Sequence, residues 1–321
     1  MSKEYYYEEK DFKLIQGDSF KILKGIEPKS IDMIFADPPY FLSSDGISCS
    51  GGKMVSVNKG DWDKSISIEK KHKFNKKWIK LCYQALKDDG TIWISGTMHN
   101  IYSIGMALEQ EGFKIINNIT WKKLNPPPNI SCRFFVHSTE TILWAKKDIK
   151  KAKHKFNYSL MRELNGGKQM KDVWESSLTK PSEKKCGKHP TQKPMEILEK
   201  IILASTDEGD LILDPFNGSG TTGIVANKLN RKYIGIEKEK EYIEKFYFKY
   251  KDNVIYFWDF LKNTNCENKL IKEIDKRNFK NNYKESNDIK NSIELLKQNL
   301  EVNQQTINGL EFSDVYNESK E

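Results

Sequence analysis

Residues Met33–Ser44 read MIFADPPYFLSS, and this stretch decides the fold of the chain. Its apolar start predicts a buried β-strand, and Pro38 and Pro39 end that strand because proline cannot extend the hydrogen bonds of a sheet. Asp37 and Tyr40 are then expected in the loop at the carboxyl end of the strand. A carboxylate, a rigid turn and an aromatic ring at the rim of a sheet indicate a ligand site; the alternative for Asp37 is a turn-capping acid.

The rest of the chain alternates short apolar runs with helical patterns. Seven runs are typical of buried strands, namely KLIQGD, SIDMIFAD, GTIWISG, FKIINNITWKK, ETILWAKK, GDLILDPF and KYIGIEKE. Helical patterns cover residues 19–26, 69–90, 100–112 and 193–205, the first with a Ser19 cap and the second stopping near Gly90. This alternation predicts an α/β fold with a doubly wound, mixed but mostly parallel sheet of seven strands.

The composition excludes several classes of protein. Only 37% of the 321 residues are hydrophobic, and no apolar run approaches the roughly 18 residues that a membrane span needs. The first residues, MSKEYYYEEKDF, do not resemble a secretory signal. The five cysteines are widely spaced and form no Cys-x-x-Cys pair, so neither a metal site nor a disulfide framework is indicated, and a cytoplasmic setting is expected.

Positive charge is concentrated in one part of the chain. Between Lys122 and Lys193 the sequence carries 17 Lys plus Arg and 6 Asp plus Glu, a net charge of +11 in a protein whose total is +8. Aromatic residues are interleaved with these charges, as in surfaces that bind phosphates and stack on bases. The block therefore predicts a nucleic-acid interface, and an ordinary solvated surface is the alternative.

A second informative stretch is LILDPFNGSGTTGIVANKL, in which a strand runs into Asp214, then Gly218 and Gly220, and then a helix. Glycines at such a turn let a ligand approach the backbone and leave the amides of the helix free. The stretch lacks the lysine of a phosphate-binding loop. Glu237 follows Asp214 by 23 residues, close to the spacing at which an acid meets ribose hydroxyls. The pattern favours an adenosine-type ligand with little or no phosphate.

With DPPY and DPFNGSGTT together, the sequence resembles the S-adenosylmethionine-dependent amino-methyltransferases of DNA, in the permuted motif order of the β group. The resemblance covers roughly residues 13–249 and includes GDSF and GKHPTQKP. The blocks GDWDK, HNIYSIGMALEQEGFKIINNITWKK, CRFFVHSTETILWAKK and KQMKDVW look most similar to the Dpn-type adenine methyltransferases of GATC-specific restriction systems. Methyltransferases of the GANTC type share many of these blocks.

The resemblance implies a role for each motif residue. The catalytic residues would be Asp37, Pro38, Pro39 and Tyr40. The residues around S-adenosylmethionine would be Asp18, Phe20, His189, Thr191, Lys193, Asp214, Phe216, Gly218, Gly220, Thr221 and Glu237. Contacts to DNA are expected from Lys122, Lys123 and Arg133, and no metal is expected. Asp18 and Thr221 could instead serve at helix starts, and His189 could make a structural hydrogen bond.

The chemistry of an exocyclic amine supports this reading of DPPY. The nitrogen lone pair of adenine is delocalised into the ring, so the amine is a poor nucleophile. The carboxylate of Asp37 and the carbonyl of Pro38 can each accept one amine hydrogen, which favours a tetrahedral nitrogen and stabilises the charge that develops. Tyr40 could stack on a base, and that base must leave the duplex to be reached.

The expected organisation is a Rossmann-like methyltransferase domain over residues 1–250, with an inserted target-recognition region at 122–188, and a polar helical extension at 251–321. In the extension, apolar residues from Ile289 to Leu310 follow heptad spacing around the polar Asn303. Such heptads fit a pairing helix in a homodimer. A helix packed on the body, a frayed tail and a monomer remain the alternatives.

The leading function is methylation of adenine N6 in double-stranded or single-stranded DNA, in GATC, within a restriction–modification system with a companion endonuclease. Four alternatives to this function remain open. Cytosine N4-methyltransferases more often carry Ser at the position of Asp37. Methyltransferases of protein glutamine usually carry Asn-Pro-Pro-Tyr, and the basic block has no obvious use in them; RNA is a further alternative substrate. A non-catalytic DNA-binding subunit would not need an intact DPPY and glycine turn.

Overall fold

The computed structural model describes residues 7–9, 11–41, 47–50, 53–56, 66–129, 132–179, 192–240 and 242–243. Its strands are β1 (Tyr7–Glu9), β2 (Phe12–Gln16), β3 (Ile31–Ala36), β4 (Ile47–Ser50), β5 (Lys53–Ser56), β6 (Leu86–Gly96), β7 (Phe113–Lys123), β8 (Thr139–Lys147), β9 (Val173–Ser176), β10 (Leu211–Asp214) and β11 (Lys232–Glu237). Its helices are α1 (Ser19–Leu23), α2 (Ile68–Ala85), α3 (Ile101–Gln110), α4 (Tyr158–Leu164), α5 (Met195–Ser205) and α6 (Thr221–Lys228).

Nine of these described strands form one mixed sheet in the order β1-β2-β11-β10-β3-β6-β8-β7-β9. The central run β2-β11-β10-β3-β6 is parallel throughout. Strands β6, β8 and β7 pair antiparallel, and β7 pairs parallel with β9. Strands β4 and β5 form a separate antiparallel pair. The central parallel run places the carboxyl ends of β2, β3, β10 and β11 at one edge of the sheet.

All seven predicted strands are present, and the mostly parallel, doubly wound sheet is confirmed. The sheet is larger than predicted because β1 and β9 extend it at its two edges. Both are short, and β9 alternates exposed Val173 with buried Trp174. A run of three or four residues carries too little periodicity to be recognised in the sequence.

Helices cover both faces of the sheet, as a parallel sheet requires. On one face Ile34 and Ala36 of β3 lie in a core cluster with buried residues of α2 and α3, among them Trp78. On the other face Met33 of β3 contacts the hydroxyl of Ser205 in α5, which also accepts a hydrogen bond from the indole of Trp93. The side-chain alternation of β3 therefore anchors helices on both sides.

Two helix boundaries differ from those predicted. Helix α2 ends at Ala85 rather than near Gly90, because Leu86 is already extended and pairs with Ile31 in the sheet. Helix α1 is capped by Asp18 rather than Ser19: the Asp18 carboxylate accepts the backbone N–H groups of Phe20 and Lys21. The Ser19 hydroxyl instead donates to the Pro215 carbonyl at 2.5 Å.

The range predicted as an inserted recognition region contributes to the sheet itself. Strand β8 lies inside that range and pairs between β6 and β7. Its Trp144 stacks on Trp93 of β6, with ring centroids 4.7 Å apart and the planes 12° from parallel. The parts outside the sheet are the loop between β7 and β8 and the segment from residue 148 through α4 to β9. Residues 130–131 and 180–191, and the predicted extension with its heptads, lie outside the described residues.

None of the described helices combines the length and apolar character that a bilayer crossing demands. Within the described part of the chain, no group of three or more His, Cys, Asp or Glu side chains is arranged to hold a metal ion.

Candidate active site

Four acidic side chains from four strand ends line a single pocket at the carboxyl edge of the sheet. Asp18 follows β2, Asp37 follows β3, Asp214 ends β10 and Glu237 ends β11. In open α/β sheets the crevice beyond the carboxyl ends of the strands is where ligands bind. The topology therefore brings together two motifs that lie far apart in the sequence.

The DPPY loop is held by hydrogen bonds at both of its ends. The Tyr40 hydroxyl donates to Asp37 Oδ1 at 2.6 Å. The side-chain amide of Asn100, a buried residue between β6 and α3, donates to the Pro39 carbonyl at 3.5 Å and accepts from the Thr97 N–H at 3.1 Å. A side chain on Gly96 would collide with this amide, since its Cβ would lie 2.7 Å from the Asn100 oxygen.

The ring of Tyr40 is more enclosed than the sequence indicates. It was expected as an exposed ring at the rim of the sheet, but only 5% of the residue is exposed. Its hydroxyl lies between Asp37 and the Lys193 ammonium, which is 2.8 Å away. Burial, together with the nearby carboxylate of Asp37, holds the pKa of Tyr40 well above its usual value, so the phenol stays protonated and remains a donor.

Lys193, just before α5, lies against the DPPY loop. Its ammonium donates to Asp37 Oδ2 at 2.8 Å, and its side chain is only 6% exposed. Burial raises the pKa of Asp37, although the cation of Lys193 and the Tyr40 hydroxyl both lower it. Burial would lower the pKa of Lys193, but the carboxylates of Asp37 and Glu140 hold it well above its ordinary value. Lys193 is therefore a permanent cation beside the Asp37 carboxyl.

A second ion pair extends this network to β7 and β8. Glu140 of β8 lies 3.4 Å from the Lys193 ammonium and 2.7 Å from that of Lys123 in β7. Burial alone would raise the pKa of Glu140, but the two lysines outweigh it and hold the pKa below its usual range. Asp37, Glu140, Lys193 and Lys123 thus form a buried, charge-balanced group.

The glycine turn supplies the floor of the pocket. Gly218 and Gly220 both have positive φ, at 50° and 67°, a conformation that favours glycine. Asp214 is buried and accepts the Phe216 N–H at 3.0 Å. Burial raises the pKa of Asp214 to about 7, and the negative charges of Asp37 and Glu237 add to the effect.

Glu237 is fixed by backbone groups on both of its oxygens. Oε2 accepts the Gly218 N–H at 2.8 Å, and Oε1 accepts the Glu239 N–H at 2.9 Å. Burial raises the pKa of Glu237 despite these bonds. A carboxylate held in this way keeps a lone pair on each oxygen for hydroxyl donors of a ligand.

Aromatic rings form the wall of the pocket on the side of α1 and α2. Phe20 and Phe41 both meet Phe74 edge to face, with centroid separations of 5.2 and 5.3 Å. Phe216 meets Trp78 in the same way at 5.4 Å. Phe20, Phe74 and Phe216 line the pocket, which gives a flat ring system such as a purine an apolar contact surface.

One buried polar atom beside the pocket has no hydrogen-bond partner among the described residues. Asn217 lines the pocket, and its oxygen accepts the Tyr233 hydroxyl at 2.7 Å, but its Nδ2 is buried and finds no acceptor among the described residues. Buried donors are nearly always paired, so this amide fits an acceptor group of a bound molecule. Glu237 can accept hydrogen bonds from ribose hydroxyls, and the aromatic wall can contact a purine. The pocket therefore suits S-adenosylmethionine, the cofactor that the sequence resemblance implies.

Most of the residues predicted for the site are brought together. The pocket is lined by all four residues of DPPY and by Asp18, Phe20, Lys193, Asp214, Phe216, Gly218, Thr221 and Glu237. Gly220 lies in the same turn and is the N-cap of α6. His189 and Thr191 lie outside the described residues. The predicted roles of these residues in binding stay predictions.

The three residues predicted to contact DNA have different surroundings. Arg133 is exposed in the loop between β7 and β8, next to Phe134 and Phe135. Lys122 is exposed and pairs with Glu175 at 2.8 Å. The Lys123 side chain is only 12% exposed and is held by Glu140, so its charge is directed into the buried network.

Sequence reasoning missed Phe74, Asn100, Glu140 and Asn217 as site residues. Glu140 and Asn100 lie within blocks that support the family resemblance, but nothing in their spacing connects them to DPPY. Asn217 follows Phe216 directly in the glycine turn and could have been chosen from that position. Phe74 lies on the apolar side of a predicted helix, where a core role is the ordinary interpretation.

Comparison with known proteins identifies the family. Residues 31–250 match the model of a family described as DNA methylase, N6_N4_Mtase. The chain is 67% identical to the Type II methyltransferase M2.DpnII of Streptococcus pneumoniae over 244 residues, which cover 76% of this chain and 91% of the relative. It is 54% identical to M2.MboI of Moraxella bovis over 241 residues, which cover 74% and 88%.

Solved structures agree with this assignment. The crystal structure of an M1.HpyAVI–SAM complex is 31% identical, covers 74% of this chain and 98% of that chain, and has a TM-score of 0.56. The cytosine-N4-specific PvuII DNA methyltransferase is 20% identical, covers 77% and 89%, and has a TM-score of 0.63, a likeness of fold alone. The chain therefore belongs to the DNA methylase family and is an S-adenosylmethionine-dependent DNA methyltransferase.

Proposed function

We propose that this enzyme methylates N6 of adenine in GATC and acts as the modification enzyme of a Type II restriction–modification system. The observation that carries the proposal is the position of the Asp37 carboxylate, which lies in one pocket with Glu237 and the glycine turn. A carboxylate suited to accept from an exocyclic amine and a surface suited to the methyl donor therefore line the same cavity, which supports the proposal.

The geometry supports direct transfer between two bound molecules. When bound, S-adenosylmethionine supplies a methyl group on a positively charged sulfur. Asp37 and the Pro38 carbonyl hold the amine of the base, and Asn100 fixes the turn through the Pro39 carbonyl. Because the methyl group is already activated, positioning is the main demand on the protein.

The choice of adenine and of GATC rests on sequence. Cytosine N4-methyltransferases more often carry Ser at the position of Asp37, and the blocks shared with Dpn-type enzymes favour GATC. The relatives M2.DpnII, M2.LlaDCHI and M2.MboI are each named Type II methyltransferases. These names support the proposal that the present enzyme acts beside a companion restriction endonuclease.

The partner is DNA, and we propose that both duplex and single strands are substrates, because the pocket must receive an unstacked base in either case. The proposed recognition region spans residues 122–188, with Lys122 and Arg133 as exposed contacts and Lys123 at its base. The extension at 251–321, through its heptads, is proposed to pair two copies into a homodimer in the cytoplasm.

The test of the reaction uses DNA from a host that lacks GATC methylation. After expression of the enzyme, we expect host DNA to resist a GATC-cutting endonuclease that adenine methylation blocks. DNA from cells expressing Asp37→Ala should be cut completely, while the purified variant still binds S-adenosylmethionine by calorimetry. Complete cutting of DNA from cells that express the wild-type enzyme at a normal level would refute the assignment to GATC.

Nucleoside analysis of the same DNA separates the two candidate amines. N6-methyladenine is expected, whereas N4-methylcytosine would replace the adenine proposal with the cytosine one. Single-stranded and duplex oligonucleotides containing GATC then test the strand preference, and transfer to the duplex alone would remove the single-strand proposal.

A further inference from the structure

Both oxygens of the catalytic carboxylate are engaged in the free enzyme. Oδ1 of Asp37 accepts the Tyr40 hydroxyl at 2.6 Å, and Oδ2 accepts the Lys193 ammonium at 2.8 Å. The bond from Lys193 joins two charged groups, and such bonds are roughly twice as strong as neutral ones. A neutral amine of a base cannot easily displace it, so the enzyme needs a means to release that oxygen.

Glu140 offers the lysine a second carboxylate. Its Oε2 lies 3.4 Å from the Lys193 ammonium, is buried, and accepts no hydrogen bond from any described residue. Its other oxygen, Oε1, is held by Lys123 at 2.7 Å. This oxygen forms an ion pair with Lys193 but has no well-aligned hydrogen bond, so a small movement of the ammonium toward it would complete one.

We propose that Lys193 transfers its hydrogen bond from Asp37 to Glu140 when the target base arrives, which frees one oxygen of Asp37 for the amine. Lys193 and Glu140 are then positioning residues for methyl transfer. The inference rests on the proposed methylation of an exocyclic amine. It extends that proposal because it assigns a role to a cation and an acid that lie outside the DPPY motif.

The movement is small. The ammonium lies within 4 Å of both carboxylates already, so it can pass between them by a change of side-chain torsions. Lys123 stays on Glu140 Oε1 throughout, so both lysines would then lie on Glu140, and the freed oxygen of Asp37 would be available to the amine. The Tyr40 hydroxyl, bonded to both Asp37 and Lys193, can keep Asp37 oriented while the lysine leaves.

Lys193 does not act as a base in this scheme. Burial would lower its pKa, but Asp37 and Glu140 hold it well above the ordinary value, so it stays charged. The charged and titratable groups that face Asp37 are Lys193, Tyr40 and Glu140, and Asp214 lies across the pocket. Lys193 lowers the pKa of Asp37 and Glu140 raises it. Replacing Lys193 should therefore move the acid side of the pH–rate profile to higher pH, and replacing Glu140 should move it to lower pH.

The experiment compares Glu140→Gln and Lys193→Gln with the full-length wild type at saturating DNA and S-adenosylmethionine. Glu140→Gln should lower kcat by about tenfold or more, because the lysine keeps its place on Asp37. Its acid limb should move to lower pH. Lys193→Gln should move that limb to higher pH, and Lys193→Arg, which keeps the charge, should retain the wild-type profile. Affinity for S-adenosylmethionine, measured by calorimetry, should stay within about threefold in every variant.

A double-mutant cycle tests whether the two residues act as a unit. In the Lys193→Gln background, adding Glu140→Gln should change kcat by no more than about twofold, because no lysine remains to be drawn aside. If Glu140→Gln does not fold, Glu140→Asp keeps the charge but shortens its reach, and should lower kcat about fivefold with unchanged donor affinity.

Three results would overturn the inference. The first is an unchanged kcat and pH profile in Glu140→Gln. The second is a double variant whose loss is the product of the two single losses. The third is a Lys193→Gln enzyme that loses about tenfold or more in donor affinity but keeps kcat at saturation, which would place Lys193 at the methyl donor. Wild-type enzyme that methylates no amine at all would instead refute the proposed function.

Discussion

The carboxylate of Asp214 accepts the backbone N–H of Phe216 at 3.0 Å, at the point where β10 turns into the glycine-rich segment. The carboxylate is buried beside two other acids of the pocket, and its pKa is raised to about 7. Protonation of this carboxyl is therefore favoured below about pH 7. A cationic ligand in the pocket would favour release of this proton.

Asp214→Asn is expected to stabilise the unligated enzyme above pH 7. A pKa raised from 3.8 to about 7 costs stability as pH rises through that window, up to roughly 4 kcal/mol. Below about pH 4 the Asp214 carboxyl is neutral in both the folded and the unfolded wild type. The difference in stability between wild type and variant should then vanish, because the cost is present only when the carboxyl ionises. Thermal unfolding at pH 4 and pH 8 measures the effect. Equal unfolding temperatures of wild type and variant at pH 8 would contradict it.

The same variant should bind S-adenosylmethionine more weakly, since the charge that attracts a cationic ligand is gone. In the wild type, affinity should fall as the pH drops through 7, and the variant should lose this dependence. Isothermal calorimetry across pH 6–8 gives both quantities. A pH-independent affinity in the wild type would show that Asp214 does not interact with the charge of the donor.

The sheet and the principal motifs could be predicted because each depends on short-range patterns. Residues Ile31–Ala36 and Leu211–Asp214 are short apolar runs followed by acids, and parallel strands bring such ends to one edge. The order of strands explains why DPPY and the glycine turn share a pocket. Helix ends were less predictable: Leu86 continues the apolar spacing of α2, yet sheet pairing with Ile31 makes it extended.

The charge network could not be predicted from the sequence, because it depends on tertiary contacts between distant segments. Lys193 and Asp37 are 156 residues apart, and the sequence around Lys193 favoured a contact to the donor. Glu140 sits in β8, where its position opposite Trp121 depends on the register of an antiparallel pair. Register across a bulge, such as the one between Ile115 and Asn117, is not visible in hydrophobic periodicity.

Gly223→Ala is expected to destabilise the enzyme, although alanine is the better helix former. A Cβ at Gly223 in α6 would lie 2.6 Å from the Tyr233 ring and 3.0 Å from Phe12, both buried in the core. Overpacking of this kind costs about 1–3 kcal/mol. Urea denaturation measures the loss, and binding of S-adenosylmethionine should weaken because α6 follows the glycine turn.

Gly105→Ala in α3 is the matched control for that substitution. Its Cβ would find nothing closer than Leu143 at 3.6 Å, so the gain in helix propensity should stabilise the enzyme by up to about 1 kcal/mol. The same Gly→Ala change is thus expected to lower the free energy of unfolding at position 223 and to raise it at position 105. A Gly223→Ala enzyme as stable as wild type would show that α6 can move away from β11 without cost.

Asn100→Ala should slow methyl transfer without removing the methyl donor. The amide of Asn100 holds the Pro39 carbonyl and the Thr97 N–H, so its loss frees the DPPY turn. We expect kcat to fall about tenfold or more, with stability lower by about 1–3 kcal/mol. Single-turnover rates and calorimetry separate the chemical step from binding.

Two further variants serve as controls for Asn100→Ala. Asn100→Asp keeps an acceptor for the Thr97 N–H but puts negative charge beside the Pro39 carbonyl, and should be as slow as the alanine variant. Gln84→Ala, on the exposed side of α2, should leave the rate unchanged. A fast Asn100→Ala enzyme would show that the prolines alone keep the turn in place.

Arg133→Ala should weaken DNA binding in a salt-dependent way. Arg133 is exposed in the loop between β7 and β8, beside Phe135, which is 96% exposed. If the arginine contacts a phosphate, its loss should reduce the slope of log K against log salt by about 1 and leave donor affinity unchanged. Lys232→Ala, at the amino end of β11 and the opposite edge of the sheet, is the matched control and should keep the full slope. Fluorescence anisotropy with a GATC duplex between 50 and 200 mM salt measures both, and equal slopes in the two variants would remove Arg133 from the DNA interface.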